Sequence, residues 1–398
     1  MYFRGVKYIQ DMIKKLFPVL LLCCMDILLF NGLHAQSRFV IYKWTGRHAK
    51  VGMIDSSGTV IVKPKLSDMG YPDFRFGPVP AKYGKKWGYI DENGKWVIGR
   101  KFDWARLFSN GLARVKVDEK FGFINLAGEW VIPPQFDVVD DFDDTIQPAA
   151  DGGKWGAIDR TGRWAIPPQS QFDYMLGGLP SDSGYIRVQV DGLWGLIRYD
   201  GSYAITPQYE KLDQYFEGLS TMQTDDGWGY LDTLGRFAIE PQFDEAYSFF
   251  YGVAWVRVDD WWGLIDHTGK CVAEPFCEYP GMFYDSLSPA RKDDFWGYVN
   301  TKGQWVIPPR FNRAWPFYDE LALANAEVGG KIKYGYINKA GEWVVKPIYD
   351  DASFFYNGWA TVVTDDKDRI SGKVGLINQS GRCVWEKKVK YTPFIQRF

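Results

Sequence analysis

Between Val51 and Gly381 the apolar positions recur in one order ten times: an aromatic-Gly pair, two apolar residues, Asp or Asn, two variable residues, Gly, then an apolar triplet usually followed by Pro. Residues 87–98, Trp-Gly-Tyr-Ile-Asp-Glu-Asn-Gly-Lys-Trp-Val-Ile, are a representative copy. The first glycine of each copy stands at 52, 88, 122, 156, 195, 229, 263, 297, 335 and 375, a spacing of 34 residues or a few more. A fixed period of this length marks a repeat architecture, in which each unit buries itself on its neighbours. The apolar, β-branched and aromatic stretches predict three strands per unit. They are the aromatic-Gly stretch (228–231 in one copy), the stretch after the turn (236–239), and a third stretch beyond a Pro-x-aromatic-acid segment (252–258).

The Asp-x-x-Gly element between the first two strands is a hairpin signal. Asp or Asn caps the backbone at the first position of a type I turn, and the closing Gly takes the left-handed conformation of an adjoining bulge. Nine copies of ten carry Asp or Asn there, Arg198 being the exception, and all ten carry the Gly. Pairing Asp91 with Lys95 puts Ile90 opposite Trp96 and Gly88 opposite Ile98 on one face, with Trp87, Tyr89 and Val97 on the other. Both faces are apolar, so each sheet must be covered on both sides. Proline ends the second strand in eight copies, Pro134 and Pro241 among them, because it offers no amide to a further strand. The chain is therefore expected to be all-β, with about ten tandem three-stranded repeats stacked face to face like propeller blades. An open β-superhelix is the alternative, since closed propellers usually have about 4 to 8 blades. Residues 39–43 precede the first repeat where a third strand would lie, and the last repeat lacks one. The N-terminal strand is thus expected to complete the last unit and close a ring.

The repeat accounts for a composition of 17% aromatic residues, 18 of them Trp. Lys and Arg (47) nearly balance Asp and Glu (49), so the basic excess of a nucleic-acid-binding protein is missing. Residues 1–35 read as a signal peptide: Lys14 and Lys15 precede an apolar run broken by Asp26, and Leu33-His34-Ala35 forms a cleavage site. The mature array, residues 36–398, then has a net charge of −4 and no integral membrane span. The expected location is the periplasm or the cell surface. Cys271, Cys277 and Cys383 remain, each where other copies place an apolar residue, so they are expected in the core. A Cys271–Cys277 disulfide is the alternative in an oxidising compartment.

These residues resemble the WG-repeat (KWG-repeat) family, whose unit reads Lys-Trp-Gly-Tyr-Ile-Asp-x-x-Gly-Lys-x-Val-Ile-x-Pro. Lys86-Trp87-Gly88-Tyr89-Ile90-Asp91 and Lys154-Trp155-Gly156-Ala157-Ile158-Asp159 match it closely, and the resemblance covers roughly residues 40–390. It departs at the ends, where Val51 and Val374 replace the aromatic. The resemblance implies a bacterial β-rich repeat module used in binding, with no catalytic residues to carry over.

Candidate chemistry is sparse. After signal removal only His48 and His267 remain, and neither sits in a signal for a nucleophilic triad. No zinc-protease helix, nucleophile elbow or phosphate-binding loop occurs, so neither a cofactor nor a metal site is expected. The run Asp140-Asp141-Phe142-Asp143-Asp144 lacks the glycine and spacing of a calcium loop and reads as a solvated loop. Asp103, Asp137, Asp173, Asp244 and Asp350 recur after the aromatic and read as loop caps. Most Trp occupy repeat positions. Trp44, Trp104, Trp255, Trp261 and Trp315 do not, and are the candidates for an exposed binding patch. The expected function is an exported, non-enzymatic scaffold that binds a protein partner at the cell envelope. One alternative is a carbohydrate-binding envelope protein that stacks those Trp on a glycan. The other is a carboxylate-based hydrolase at a propeller mouth, which would need two acidic residues from different blades.

Overall fold

A computed structural model describes residues 38–45, 48–142, 145–177, 184–367 and 371–389; residues 1–35, read above as a signal peptide, lie outside them. Ten small antiparallel sheets form a propeller-like ring. Blade 1 has three strands: β1 (Arg38–Thr45), β2 (His48–Asp55) and β3 (Val60–Leu66). Blade 2 sets the pattern of the other nine with a fourth, short leading strand. Its strands, hydrogen-bonded in this order, are β4 (Asp68–Met69), β5 (Val79–Tyr83), β6 (Lys86–Ile90) and β7 (Trp96–Phe102).

A blade straddles two sequence units. The third stretch of one unit pairs with the aromatic-Gly stretch of the next, placing Val115 opposite Gly122 and Val256 opposite Gly263. This frame corrects the expected closure. β1 pairs with β2 of its own blade, Phe39 opposite Ile54. Blade 10 is complete without it, built from Asp351–Ala352, Trp359–Lys367, Ser371–Asn378 and Cys383–Val389.

The hairpin between third and fourth strands has the expected turn. Gly94 N–H donates to Asp91 O (2.9 Å), and Asp91 Oδ1 accepts from the amides of Asn93 (3.0 Å) and Lys95 (2.8 Å). In the exceptional copy the cap moves from Arg198 to Asp200, whose Oδ1 accepts from Ser202 N at 2.8 Å. Beyond the turn the register differs from expectation. Ile90 is opposite Trp96, but Tyr89 is opposite Ile98 and Trp87 opposite Phe102, with bulges between. The first bulge turns Val97 out to solvent and moves Ile98 to the Tyr89 face. The second carries the fourth strand straight over Gly88, where a β-carbon would stand 2.6 Å from Ile98 O. The aromatic-Gly signature therefore marks a close backbone crossing that only glycine admits. Nine blades share it.

The cores lie between blades. Tyr89, Ile98 and Phe102 of blade 2 pack on Ala105, Phe108 and Val115 of blade 3, and the same grouping recurs around the ring. Buried phenols bond across these interfaces: Tyr89 Oη donates to Arg106 O (2.8 Å), Tyr230 to Tyr247 O (2.8 Å), Tyr298 to Trp315 O (2.7 Å) and Tyr336 to Ser353 O (2.7 Å). Each acceptor lies in or beside the leading strand of the next blade. The turn glycine of one blade also packs on the fourth strand of the preceding blade, as Gly128 does on Ile98 and Gly269 on Ile239.

The seam between blades 10 and 1 repeats that last contact, Gly58 resting on Trp385. Phe39 meets Trp359 edge-on (5.6 Å), and Ile54 and Leu376 are buried between them. Blade 1 has no leading strand among the described residues, and the loop of blade 2 reaches across to blade 10. Tyr71 packs on Tyr356 (5.0 Å), and Arg75 Nη2 donates to Tyr356 Oη (3.1 Å). The ring is thus closed by side-chain packing, and the open superhelix is not the fold adopted.

The first residue of each fourth strand lies on the blade's outer edge. For that reason Cys271 and Cys383 are exposed, contrary to the core expectation, while Cys277 is buried. All three are free thiols, so the alternative disulfide is absent. Trp130, in the same edge position, is likewise exposed.

Candidate binding surface

Antiparallel order puts two features on one face of the ring: the turns between second and third strands, and the links that carry the chain to the next blade. The turns are tight two-residue hairpins, and in several both central residues take positive φ, as at Gly152 (58°) and Gly153 (74°), or Asp293 (49°) and Asp294 (67°). Both strand-like flanks twist correctly into such a turn, which suits Gly, Asn and Asp. In several links an acidic residue caps the turn of the blade it enters. Asp137 Oδ2 accepts from Gly152 N (2.7 Å), Asp103 Oδ2 from Asp118 N (3.2 Å) and Glu278 Oε1 from Asp293 N (3.1 Å). Lys86 bonded to Asp103 and Lys120 bonded to Asp137 hold those carboxyls below their usual range. Of the recurring acids after the aromatic, Asp103, Asp137 and Asp173 have the capping role read from their position.

Blades 6, 7 and 8 differ at the turn itself, with Asp225-Asp226, Asp259-Asp260 and Asp293-Asp294 where blades 4 and 9 have Gly152-Gly153 and Gly329-Gly330. Glycine satisfies the turn, so these carboxylates are not required by backbone geometry. On blades 7 and 8 they stand among large apolar side chains that face solvent: Val258 (42% exposed), Trp261 (39%), Tyr279 (52%) and Phe295 (45%). The register shows that these residues are neighbours. Val258 pairs with Trp261 across the blade 7 turn. Trp262 pairs with Cys277, which sets Trp261 beside Glu278 and Tyr279 as the chain crosses to blade 8. Tyr279 pairs with Arg291, on the strand that ends at the Asp293-Asp294 turn before Phe295.

The charges on this surface are unevenly matched. Arg257 pairs with Glu245 (3.4 Å), and Arg291 with Glu278 (3.4 Å) and Asp294. The carboxylates of Asp259 and Asp260 have no ion-pair partner among the described residues. Next to them, Trp262 turns inward and packs on Tyr247 (4.6 Å). Burial pushes the thiol of Cys277 up to about 12, which makes it a packing residue with no thiolate chemistry.

The structure does not gather the five off-pattern Trp. Trp44 lies in β1 of blade 1, and its side chain is outside the described residues. Trp255 is a correction. It is 2% exposed, stacked on Phe283 (5.7 Å, 16°) inside the blade 7–8 core, because its position in the second strand faces the next blade. Trp104 and Trp315 are half-buried on blades 3 and 9. Each already has an arginine over its ring, Arg114 at 5.3 Å and Arg313 at 5.2 Å. Only Trp261 joins a wider exposed surface; its partners Phe295 and Tyr279 stand in the same off-pattern slots as Trp261 and Trp104, and a reading confined to Trp misses them. Of the other candidates, Asp141 is paired with Arg106 and Arg114, and His267 stacks on Phe249 (4.4 Å) beside Glu217 (3.1 Å). A recess of about 410 Å³ between blades 8 and 9 is lined by Arg310, Phe311, Ala326, Gly341, Glu342 and Trp343. It contains one carboxylate, Glu342, and so lacks the pair that glycoside cleavage requires. Among the described residues no His, Cys, Asp and Glu cluster of metal-binding size occurs, and no helix is long and apolar enough to cross a membrane.

The sequence profile of the WG-containing repeat matches residues 87–121, 121–144, 155–194, 194–227, 228–260, 262–294, 296–331 and 334–367. No curated protein matches the sequence. Among solved structures, a eukaryotic initiation factor superposes with a TM-score of 0.51 at 9% identity, over 90% of this chain and 97% of that one. Hsv2 of Kluyveromyces lactis, with its loop 6CD replaced by a Gly-Ser linker, reaches a TM-score of 0.34 at 8% identity, over 61% of this chain and 93% of that one. At such identities the first likeness concerns the fold alone, and the second is too loose to carry weight.

Proposed function

As the chain belongs to the family of WG-containing repeats, we propose that it is a non-enzymatic binding scaffold whose partner is a protein of the bacterial cell envelope. The observation that carries this reading is the shared exposure of Trp261, Tyr279 and Phe295 on adjoining blade tips. Large aromatics anchor protein interfaces, because they bury much area with few rotatable bonds. A rigid ring of stacked sheets holds such tips in fixed positions without further ordering on binding. Export with removal of residues 1–35 is part of the proposal and rests on Lys14-Lys15, the apolar run after them and the Leu33-His34-Ala35 site.

The test is affinity capture from an envelope fraction on the immobilised chain, wild type against the Trp261→Ala/Phe295→Ala double variant. The proposal expects a specific protein retained by the wild type and reduced about tenfold or more by the double variant. Equal retention by both proteins would remove this surface from the reading.

A further inference from the structure

We infer that the blade 7–8 surface takes an extended, lysine- or arginine-rich segment of a protein partner; this rests on the scaffold reading and names the chemistry of what the scaffold holds. The apolar tips alone, Val258, Trp261, Tyr279 and Phe295, would suit many partners. The charges choose among them. Around these tips stand Glu245, Asp259, Asp260, Glu278, Asp293 and Asp294, against the four cations Arg257, Arg291, Lys292 and Arg313, the last lying over the Trp315 ring. Two of those cations are already engaged by Glu245, Glu278 and Asp294, so the surplus is negative. The turn does not require the aspartates, since Gly152-Gly153 and Gly329-Gly330 make it elsewhere in the ring. Like charges side by side oppose folding, so their neutralisation by a partner recovers what the free surface gives up.

Placement strengthens the match. Trp261 follows the Asp259-Asp260 pair directly and Phe295 follows Asp293-Asp294 directly, so each blade tip offers an aromatic face beside two carboxylates. A lysine or arginine side chain lying on such a ring gains from the ring quadrupole while its charged end meets the carboxylate. The unit repeats from blade 7 to blade 8, which suits an extended segment with basic residues at intervals. An anionic membrane or nucleic acid would be repelled.

The probe is a fluorescein-labelled peptide of alternating Gly-Lys and Gly-Arg, titrated with the full chain and read by anisotropy. A Gly-Glu peptide of the same length is the control. The variant Asp259→Asn/Asp260→Asn/Asp293→Asn/Asp294→Asn removes four charges while keeping residues that tolerate the left-handed turn. A thermal melt matching the wild type confirms that it folds. The inference expects the basic peptide to bind the wild type, with affinity at least about tenfold lower in the Asn variant, and falling with added salt only in the wild type. Equal binding of the basic peptide to both proteins, or equal binding of the acidic peptide to the wild type, overturns it. If the basic peptide fails to bind while envelope capture still depends on Trp261 and Phe295, the charge inference falls and the scaffold reading stands. If both fail, both fall.

Discussion

The interface between blades 8 and 9 and the seam between blades 10 and 1 join the same kind of sheet by different means. Between blades 8 and 9, the third-strand Tyr298 donates to Trp315 O in the neighbouring leading strand, and Ile307 packs under the turn at Gly341. At the seam, blade 1 has no leading strand among the described residues to offer an acceptor, and blade 10 has Leu376 in the tyrosine position. Trp385 replaces the isoleucine under the turn at Gly58, and Tyr71 and Arg75 reach over from blade 2 to Tyr356. The fourth strand also changes. In blade 10 it runs alongside its partner with one register shift and without the proline crossing, so Gly375 has no backbone atom closer than 3.5 Å to a built β-carbon. The four interior joints that carry Tyr89, Tyr230, Tyr298 and Tyr336 thus combine a backbone crossing, a buried hydrogen bond and packing, whereas the closing joint relies on aromatic packing. A ring can close without strand exchange when the last apolar face matches the first.

The largest expected contrast is at the signature glycines. Gly229→Ala puts a methyl 2.7 Å from Ile239 O and 2.8 Å from Pro241 N, both backbone atoms that cannot step aside. It should destabilise the protein by about 3 kcal/mol, as overpacking does. Gly375→Ala meets the Val362 and Cys383 side chains at 3.3 and 3.4 Å and no backbone atom closer than 3.5 Å, and should change stability by less than about 1 kcal/mol. Denaturant melts of the two variants decide the matter, and similar losses would show that the crossing is not what the glycine serves.

Next in size is the seam. Trp385→Ala removes the ring that covers Gly58 and packs with Ile54 and Leu376. It should lower stability by about 2 kcal/mol, less than for a fully buried Trp because this one is partly exposed. It should also raise the radius of gyration in small-angle scattering as blades 1 and 10 part. An unchanged radius would mean that the remaining Phe39–Trp359 and Tyr71–Tyr356 contacts hold the ring.

The smallest effect separates the interior joints from the seam by hydrogen bonding. Tyr298→Phe removes the buried hydrogen bond to Trp315 O and should cost about 1–2 kcal/mol. Burial raises the phenols of Tyr89, Tyr230 and Tyr298 far above their ordinary 10.0. A raised folded value keeps its stabilising contribution below the unfolded value and loses it above, so stability should fall as pH rises past about 10. The slope in alkaline melts should flatten when Tyr298 becomes Phe, and an unchanged slope would remove this tyrosine from the alkaline transition.

Much of this was legible in the residues, and the misses have physical causes. Asp91 and Gly94 announce their turn because its hydrogen bonds lie within five residues. The two-residue leading strands, such as Asp68–Met69, are too short for any periodicity to reveal. Val97 was placed on a buried face because a period of two assumes no bulge, and a bulge that depends on the opposing strand cannot be read from one strand. Trp255 was expected outside for breaking the repeat, yet its off-pattern ring fills space that Phe276 and Phe283 leave between blades 7 and 8. Trp261 kept its exposure because the turn before it ends the sheet.

What the sequence by itself determined is everything that rests on short-range geometry and period: ten units, their hairpins, two apolar faces per sheet, and the capping acids. What only the tertiary structure decided is how units meet. The frame of a blade depends on which strand finds the free edge of another, and the closing of the ring depends on two faces more than 300 residues apart coming into contact. The binding surface belongs to the same class, since Trp261, Tyr279 and Phe295 become one surface only when adjoining blades set their tips side by side.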